Sequence, residues 1–197
     1  MDGTLIDSSA LLANTINYVR EKIDLPPLPK ETIIRAINDT SHNPAKFFYN
    51  AEQFEDIHER YFQEYYLQNH HTQTRLYNGI KPLLEKLASN RSLAIATNAY
   101  DVSTKPLIEA LGIADYFDHV ICGDHVPTPK PHPLMIEKII DAYKAPRKKF
   151  VMIGDGERDI MAAKNAGIDA LLVEWGFSEH DNALTDVKQL EKILGVS

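Results

Sequence analysis

The stretch FVMIGDGERD, residues 150–159, carries the strongest structural signal in this chain. It begins with a short apolar run, and Asp155 follows that run between two glycines. A short apolar run bounded by glycine is typical of a buried β-strand that ends in a turn. If a helix begins near Gly156, Asp159 lies about one helical turn after Asp155, and both carboxylates can point toward the same end of the sheet. The stretch therefore predicts a strand, a carboxylate-bearing loop and a helix.

The same alternation extends outward over residues 77–197. Apolar runs of three to five residues alternate with segments whose apolar residues recur at helical spacing, as in Ile80, Leu83, Leu84 and Leu87. This alternation is typical of βαβ units and predicts an α/β fold with a parallel sheet. A last helix is predicted to carry apolar residues at Leu190, Ile193 and Leu194. The predicted strands are residues 93–97, 120–122, 150–153 and 170–173.

Residues 9–76 have a different pattern, with helical periodicity and no convincing strand. Breaks at Pro26–Pro29 and Asn43-Pro44 divide this region into separate helices. We interpret it as a helical insertion next to the α/β part of the chain.

Charge and composition limit the classes of function. A formal net charge of -7 at pH 7 disfavours nonspecific nucleic-acid binding, which needs clustered lysine and arginine. No apolar run approaches the ~20 residues that cross a bilayer, so we expect no membrane partner and a cytoplasmic location. The one cysteine, Cys122, lies in an apolar run and is interpreted as a buried structural thiol.

Four short motifs lie at the predicted strand ends or at the start of the chain, and open α/β sheets bind ligands at such ends. Each motif alone is weak, because each also occurs in ordinary turns. The motifs are Asp2-Gly3-Thr4-Leu5, Thr97-Asn98, Lys130-Pro131 and Gly154–Asp159. In this order and at these offsets they resemble the four motifs of the haloacid dehalogenase superfamily, over essentially the whole chain.

The resemblance implies a Rossmann-like parallel sheet flanked by helices, formed by residues 1–8 and 77–197. Residues 9–76 would form a small all-helical cap domain. The Trp175-Gly176-Phe177 turn resembles phosphoglycolate phosphatase-like members of the superfamily, and its position after the last strand predicts a place near the mouth of the site. The aromatic residues of the cap are interpreted mainly as cap core, with some of them open to the substrate.

The resemblance also implies a metal site and an acid. Asp2 matches the general acid and base of the superfamily, and its backbone carbonyl would bind Mg²⁺. Asp155 would bind the ion directly, as suits a hard oxygen ligand, and Asp159 would act on it through a neighbouring ligand or through water. The alternative for Asp159 is a residue that caps or solvates the start of a helix.

The phosphate-binding residues implied by the resemblance are Thr97, Asn98 and Lys130. The Thr97 hydroxyl would donate to a phosphate oxygen, and Asn98 would help to orient it. Lys130 would neutralise charge between the nucleophile and the phosphate, and the surrounding prolines restrict its backbone. The alternatives are a strand-end turn for Thr97 and Asn98, and a solvated loop lysine for Lys130.

The superfamily's first motif contains another aspartate, the nucleophile, two residues before the one that Asp2 matches. That position precedes Met1, and the first core strand that would carry it is missing from this sequence. In the superfamily this strand lies between the strands that carry Thr97 and Asp155. We therefore expect Met1 to be an internal methionine of a longer protein, preceded by an apolar strand ending in Asp.

The predicted function is Mg²⁺-dependent hydrolysis of a small-molecule phosphate monoester through an aspartyl-phosphate, by a monomer or homodimer. A phosphomutase of the same superfamily is one alternative. A dehalogenase is disfavoured because it needs neither Asp2 nor a metal. A catalytically inactive binding protein is the alternative if the natural chain is this short.

Overall fold

The computed structural model describes residues 1–39, 41–177 and 181–196. Its helices, in chain order, are α1 (Ser9–Lys22), α2 (Lys30–Asn38), α3 (Pro44–Tyr49), α4 (Asp56–Gln73), α5 (Ile80–Ala88), α6 (Asp101–Ala110), α7 (Leu134–Tyr143), α8 (Glu157–Ala166) and α9 (Val187–Leu194). The strands are β1 (Ile6–Asp7), β2 (Arg75–Leu76), β3 (Ala94–Ala96), β4 (His119–Ile121), β5 (Val151–Gly154) and β6 (Asp169–Leu172). Strands β3 to β6 overlap the four apolar runs, which confirms the predicted alternation and a mixed α/β fold.

The strands that follow residue 77 pair in parallel, as predicted. β3 lies beside β4 with Ile95 opposite Val120, and β5 lies beside β6 with Met152 opposite Ala170. Within the described residues β3 and β5 do not pair with each other, so the sheet consists of two separate parallel pairs. The placement of a further strand between these pairs stays a prediction.

The main hydrophobic core lies between the strands and helices α5, α6 and α9. The apolar residues of α5, Ile80, Leu83, Leu84 and Leu87, are all buried and pack in one cluster with Ile95 of β3. They lie on one face of the helix because residues three and four apart are neighbours on its surface. The predicted helical stripe is therefore the face of α5 that contacts the core.

Helix α9 follows its prediction only in part and provides a test of the core. Leu190 is 2% exposed, whereas Ile193 is 55% exposed, so Ile193 does not face the core as its apolar character suggested. We expect Leu190→Ala to lower the free energy of unfolding by about 2–5 kcal/mol, because it leaves a cavity in the core. Ile193→Ala, the control in the same helix, should change it by no more than about 0.5 kcal/mol. Urea unfolding monitored by circular dichroism measures both, and equal losses would contradict the packing described.

Helices α1 to α4 form a second hydrophobic cluster. Val19 of α1 and Ile33 of α2 are fully buried, and Phe48 of α3 packs against them. Helix α4 lies along α1, where the rings of Tyr18 and Tyr61 meet edge to face. The prediction of a helical region here is confirmed, and its status as a separate cap domain, residues 9–76, stays a prediction.

The prediction that residues 9–76 contain no strand is wrong at the end of this range. Arg75–Leu76 form β2 and pair antiparallel with Ile6–Asp7 of β1. The Arg75 guanidinium also lies 2.9 Å from the Asp7 carboxylate. A two-residue strand has no periodicity of its own, and its partner lies 68 residues away in the sequence. Both chain connections between the helical cluster and the α/β part pass through this strand pair.

Candidate active site

The polar motifs predicted at the strand ends lie together. Thr97 follows β3, where its N–H donates to the carbonyl of Ile121, and Asp155 follows β5. Both side chains are buried, yet both line a single cavity of about 420 Å³. The described lining of this cavity includes all six predicted site residues: Asp2, Thr97, Asn98, Lys130, Asp155 and Asp159.

The Asp2-Gly3-Thr4 turn lies directly against Asp155. The Thr4 hydroxyl donates to the Asp155 carboxylate over 3.0 Å, and a Cβ added at Gly3 would lie 2.1 Å from the same carboxylate. Gly3 also has a φ of 72°, which favours glycine. The Asp2 carboxylate is itself held by the Ser8 hydroxyl, which donates to it over 2.6 Å. The turn therefore brings Asp2 and Asp155 to the same wall of the cavity.

Lys130 is a buried cation anchored by three residues. Its ammonium lies 2.6 Å from the Asp159 carboxylate and donates to the carbonyl of Ala96 over 2.6 Å. The Asn98 side chain fixes its backbone, accepting from the Lys130 N–H over 3.0 Å and donating to the Lys130 carbonyl over 2.9 Å. A solvated loop lysine, the alternative reading of Lys130, is wrong. Asn98 is a positioning residue for Lys130, a role that the sequence did not indicate.

Asp159 is ionised in this environment. Burial by itself raises the pKa of Asp159, but the charge of the Lys130 ammonium and its hydrogen bond to the carboxylate act in the opposite direction, and the pKa is lowered. Its second carboxylate oxygen accepts from the Asp155 N–H over 3.2 Å. Helix α8 begins at Glu157 after Gly156, as predicted, so Asp159 lies in the first helical turn and points back toward Asp155. The carboxylate thus joins two site residues and is not a solvated helix start.

The carboxylates are of the kind that a hard divalent cation prefers, but their oxygens do not all lie within 4.8 Å of one another in this structure. Asp2, Asp155 and Asp159 bring three carboxyl groups to one cavity, and Lys130 is the only lysine that lines it among the described residues. Oxygen ligands of this kind are preferred by Mg²⁺. Because Gly3 has no side chain, the Asp155 carboxylate lies directly against its backbone, in a place where a Cβ would clash with it. Asp155, Asp159 and the backbone carbonyl of Asp2 would be the residues that hold an ion.

The other wall of the cavity comes from the helical cluster and is largely aromatic. Burial and then the Asp2 carboxylate raise the pKa of Tyr66, which places its ring above the acidic end of the site. The sequence predicted these aromatic residues mainly as cap core, and several serve as cavity wall as well. The aromatic residues of this wall are Phe48, Tyr49, Phe54, His58, Phe62 and Tyr66.

The Trp175-Gly176-Phe177 turn lies at the site, as predicted. The Trp175 indole N–H donates to the Thr4 carbonyl over 2.9 Å, and Phe177 lines the cavity. A Cβ at Gly176 would lie 1.9 Å from the Gly3 carbonyl oxygen, so only glycine allows this approach of two backbones. The turn thereby supports the loop that carries Asp2.

A second group of potential metal ligands lies outside the cavity, at Asp101, Cys122 and His125. Their contacts favour a hydrogen-bonded cluster over a metal site. His125 Nδ1 accepts from the Cys122 N–H over 3.2 Å, so the ring proton lies on Nε2, which faces the Asp101 carboxylate at 3.1 Å. The Lys105 ammonium occupies the other side of that carboxylate at 2.9 Å. A metal ion at this position would compete with both the proton and the lysine.

Cys122 is buried, as predicted, and burial raises the pKa of its thiol from 9.0 to about 11. We expect native protein at pH 8 to react with iodoacetamide much more slowly than urea-unfolded protein, because the thiolate is the nucleophile. The unfolded state loses this proton at lower pH than the folded state, so the free energy of unfolding should fall as the pH rises from 9 to 11. Mass spectrometry of the labelled protein measures the rate, and equal labelling in both states would contradict a buried thiol.

Carboxylates and a buried lysine at the strand ends of an α/β unit face a wall of helices across one cavity, an arrangement that suits a hydrolase. The chain belongs to the haloacid dehalogenase-like hydrolase family, because the sequence model of that family matches residues 1–173.

The chain is also similar to individual members of this family. It is 32% identical, over 91% of its length and 84% of the relative's, to phosphoglycolate phosphatase from Chromobacterium violaceum. It is 27% identical, over 100% of its length and 94% of the relative's, to phosphoglycolate phosphatase from Vibrio vulnificus. The crystal structure of a predicted phosphoglycolate phosphatase from Haemophilus somnus superposes with a TM-score of 0.84 at 28% identity, covering 98% of this chain and 95% of that one.

Proposed function

We propose that this protein hydrolyses a small phosphate monoester in a Mg²⁺-dependent reaction with an aspartyl-phosphate intermediate. One observation supports the proposal most strongly. Thr97, Lys130 and Asp155 come from three separate segments of the chain and line one cavity together with Asp2. Phosphoryl transfer needs a nucleophile, a proton donor and positive charge around the transferring oxygens, and these residues supply the last two.

Asp2 acts as general acid and then as general base. In the first step the nucleophilic aspartate forms a bond to phosphorus, the ester P–O bond breaks, and the leaving alcohol oxygen takes its proton from Asp2. In the second step water attacks phosphorus, gives its proton to Asp2, and releases orthophosphate and the aspartate. The Ser8 hydroxyl, 2.6 Å from the Asp2 carboxylate, holds this group in position for both transfers.

Thr97 and Lys130 bind the phosphate. The buried Thr97 hydroxyl donates to one phosphate oxygen, and the Lys130 ammonium offsets the negative charge between nucleophile and phosphate. Because Asn98 and Asp159 fix the lysine on both its backbone and its side chain, little of its freedom is lost when substrate binds.

Asp155, Asp159 and the backbone carbonyl of Asp2 would hold Mg²⁺. When bound, the ion would neutralise charge on the phosphate oxygens and orient them for in-line attack. The helical cluster, residues 9–76, would act as a cap that covers the substrate and excludes bulk water.

The expected nucleophile lies two residues before Asp2, outside residues 1–197. Turnover is therefore measured on a chain that carries an apolar strand ending in aspartate before Met1, and ligand binding is measured on residues 1–197.

Within residues 1–39, 41–177 and 181–196 no helix is both long and apolar enough to span a membrane. We propose a cytoplasmic enzyme, monomeric or homodimeric, whose partner is a small phosphate ester.

The deciding experiment is release of orthophosphate from a panel of phosphate esters, with and without Mg²⁺. Phosphoglycolate belongs on the panel because the curated relatives carry its name. We expect Mg²⁺-dependent release of orthophosphate and no isomerisation of sugar phosphates. Isomerisation without release would favour a phosphomutase, and neither reaction would favour an inactive binding protein.

A further inference from the structure

The half of the cavity formed by residues 12–67 has little charge. Among the described lining residues of this half, Glu59 is the only acidic one, and lysine and arginine are absent. A carboxylate entering here would lose its hydration without gaining a cation, which is strongly unfavourable. The part of a ligand that occupies this half is therefore not anionic.

Tyr66 lines the cavity where the helical wall meets the acidic end of the site. Its side chain is 4% exposed, and its ring stacks on Phe62 with centroids 5.7 Å apart and an interplanar angle of 17°. Within the described residues the hydroxyl has no hydrogen-bond partner. The hydroxyl is not one of the fully buried polar atoms that lack a partner, so it opens to the cavity, where it can donate to an acceptor on a ligand.

His58 lines the same wall and offers a second donor. The residue is 4% exposed, and its Nδ1 accepts from the Glu55 N–H over 3.2 Å. The proton of the neutral ring is thus assigned to Nε2, which lacks a partner in the described part of the chain. The ring stacks on Tyr49 with centroids 4.7 Å apart, so its orientation is fixed.

We propose, resting on the phosphatase function above, that the preferred substrate is a phosphate monoester of an alcohol carrying an uncharged planar heteroaromatic ring. Nucleoside monophosphates have this chemistry. The ring lies among the aromatic side chains of the helical wall, and its acceptors take hydrogen bonds from Tyr66 and His58. A cavity of about 420 Å³ lies in the range of sites for ligands of this size, whereas a two-carbon acid would leave most of it empty.

Arg158 is the feature that favours a different substrate. It is half-buried and lines the cavity from the α8 side, where it could pair with the carboxylate of phosphoglycolate. That pairing would involve only the half of the cavity formed by the α/β part of the chain, so Tyr66 and His58 would make no hydrogen bond to the substrate. The two substrates therefore differ in which residues they need.

The test compares adenosine, uridine and pyridoxine phosphates with phosphoglycolate and ethyl phosphate. We expect kcat/KM to be at least about tenfold higher for the ring-bearing esters. Tyr66→Phe should lower kcat/KM for those esters by about 3- to 10-fold, and by more than for ethyl phosphate, because the hydrogen bond to the ring is lost. Differences among the three ring esters identify which ring the site prefers.

A second pair of variants tests the same proposal at exposed positions, where a substitution is not expected to unfold the protein. Phe54 is an exposed residue on the cavity wall, and Phe47 is an exposed residue outside the described lining. Phe54→Leu should raise KM for the ring-bearing esters by about fivefold or more, since stacking is lost, and Phe47→Leu should leave it unchanged. Equal effects of the two substitutions would overturn the proposal.

Binding to residues 1–197 gives a readout that is independent of turnover. In the presence of Mg²⁺, calorimetry should show adenosine monophosphate binding at least about tenfold more tightly than orthophosphate or phosphoglycolate. Release of phosphate with a preference for phosphoglycolate that Arg158→Gln removes would overturn the ring proposal and leave the phosphatase intact. No binding of orthophosphate and no release from any ester would overturn the phosphatase function itself.

Discussion

Asp155→Asn is expected to lower Mg²⁺-dependent phosphate release by about 10²-fold or more and to weaken Mg²⁺ binding. The charge stabilisation that a metal supplies amounts to several kcal/mol, and each 1.36 kcal/mol corresponds to a factor of ten in rate. Asparagine keeps the size of the side chain and an oxygen that can accept from the Thr4 hydroxyl, so the turn at Gly3 should persist. The substitution therefore removes charge with little change of shape.

Two measurements separate the metal site from a fold defect. Calorimetric titration of residues 1–197 with Mg²⁺ reports ion binding without turnover, and urea unfolding reports stability. Asp169→Asn is the control, because Asp169 is exposed at the start of β6, at the end of the strand opposite to the site. Unchanged Mg²⁺ affinity in Asp155→Asn would remove Asp155 from the metal site.

The strand-end motifs could be predicted from the sequence because their signals are local. The run at residues 150–153 and the glycines beside Asp155 predicted β5, the following turn and the start of α8 within one or two residues. Parallel strands bring their carboxyl ends to one edge, so placing Thr97 and Asp155 at strand ends also predicted that they lie near each other. The first step rests on local sequence signals, and the second rests on the common direction of parallel strands.

Features that depend on distant partners were not predictable in this way. The two hydrogen bonds between Asn98 and the Lys130 backbone join residues 32 positions apart, and neither residue type signals the pairing. The Nε2 donor of His58 is available because Nδ1 accepts from the Glu55 N–H, and the residue type alone does not signal that contact. The exposed position of Ile193 follows from packing at the end of α9, which an apolar residue type does not determine.

Lys130→Met is expected to lower the free energy of unfolding by about 3–5 kcal/mol in addition to its effect on catalysis. The substitution leaves the Asp159 carboxylate buried without its cation, and an uncompensated buried charge is strongly destabilising. The double variant Lys130→Met with Asp159→Asn removes both charges, so it should be more stable than the sum of the two single losses by about 1 kcal/mol or more. Urea unfolding of the four proteins in the cycle measures this coupling.

The exposed pair Lys46–Glu52 is the matched control for this cycle. Its nitrogen and oxygen lie 2.7 Å apart, close to the 2.6 Å of Lys130–Asp159, but its side chains are 65% and 83% exposed. Solvent screens such a pair, so Lys46→Met should cost no more than about 1 kcal/mol. If the two lysine substitutions lower the free energy of unfolding by the same amount, burial does not strengthen the Lys130–Asp159 contact. The lysine would then be poorly held against a phosphate, and its proposed role in charge neutralisation would lose its physical basis.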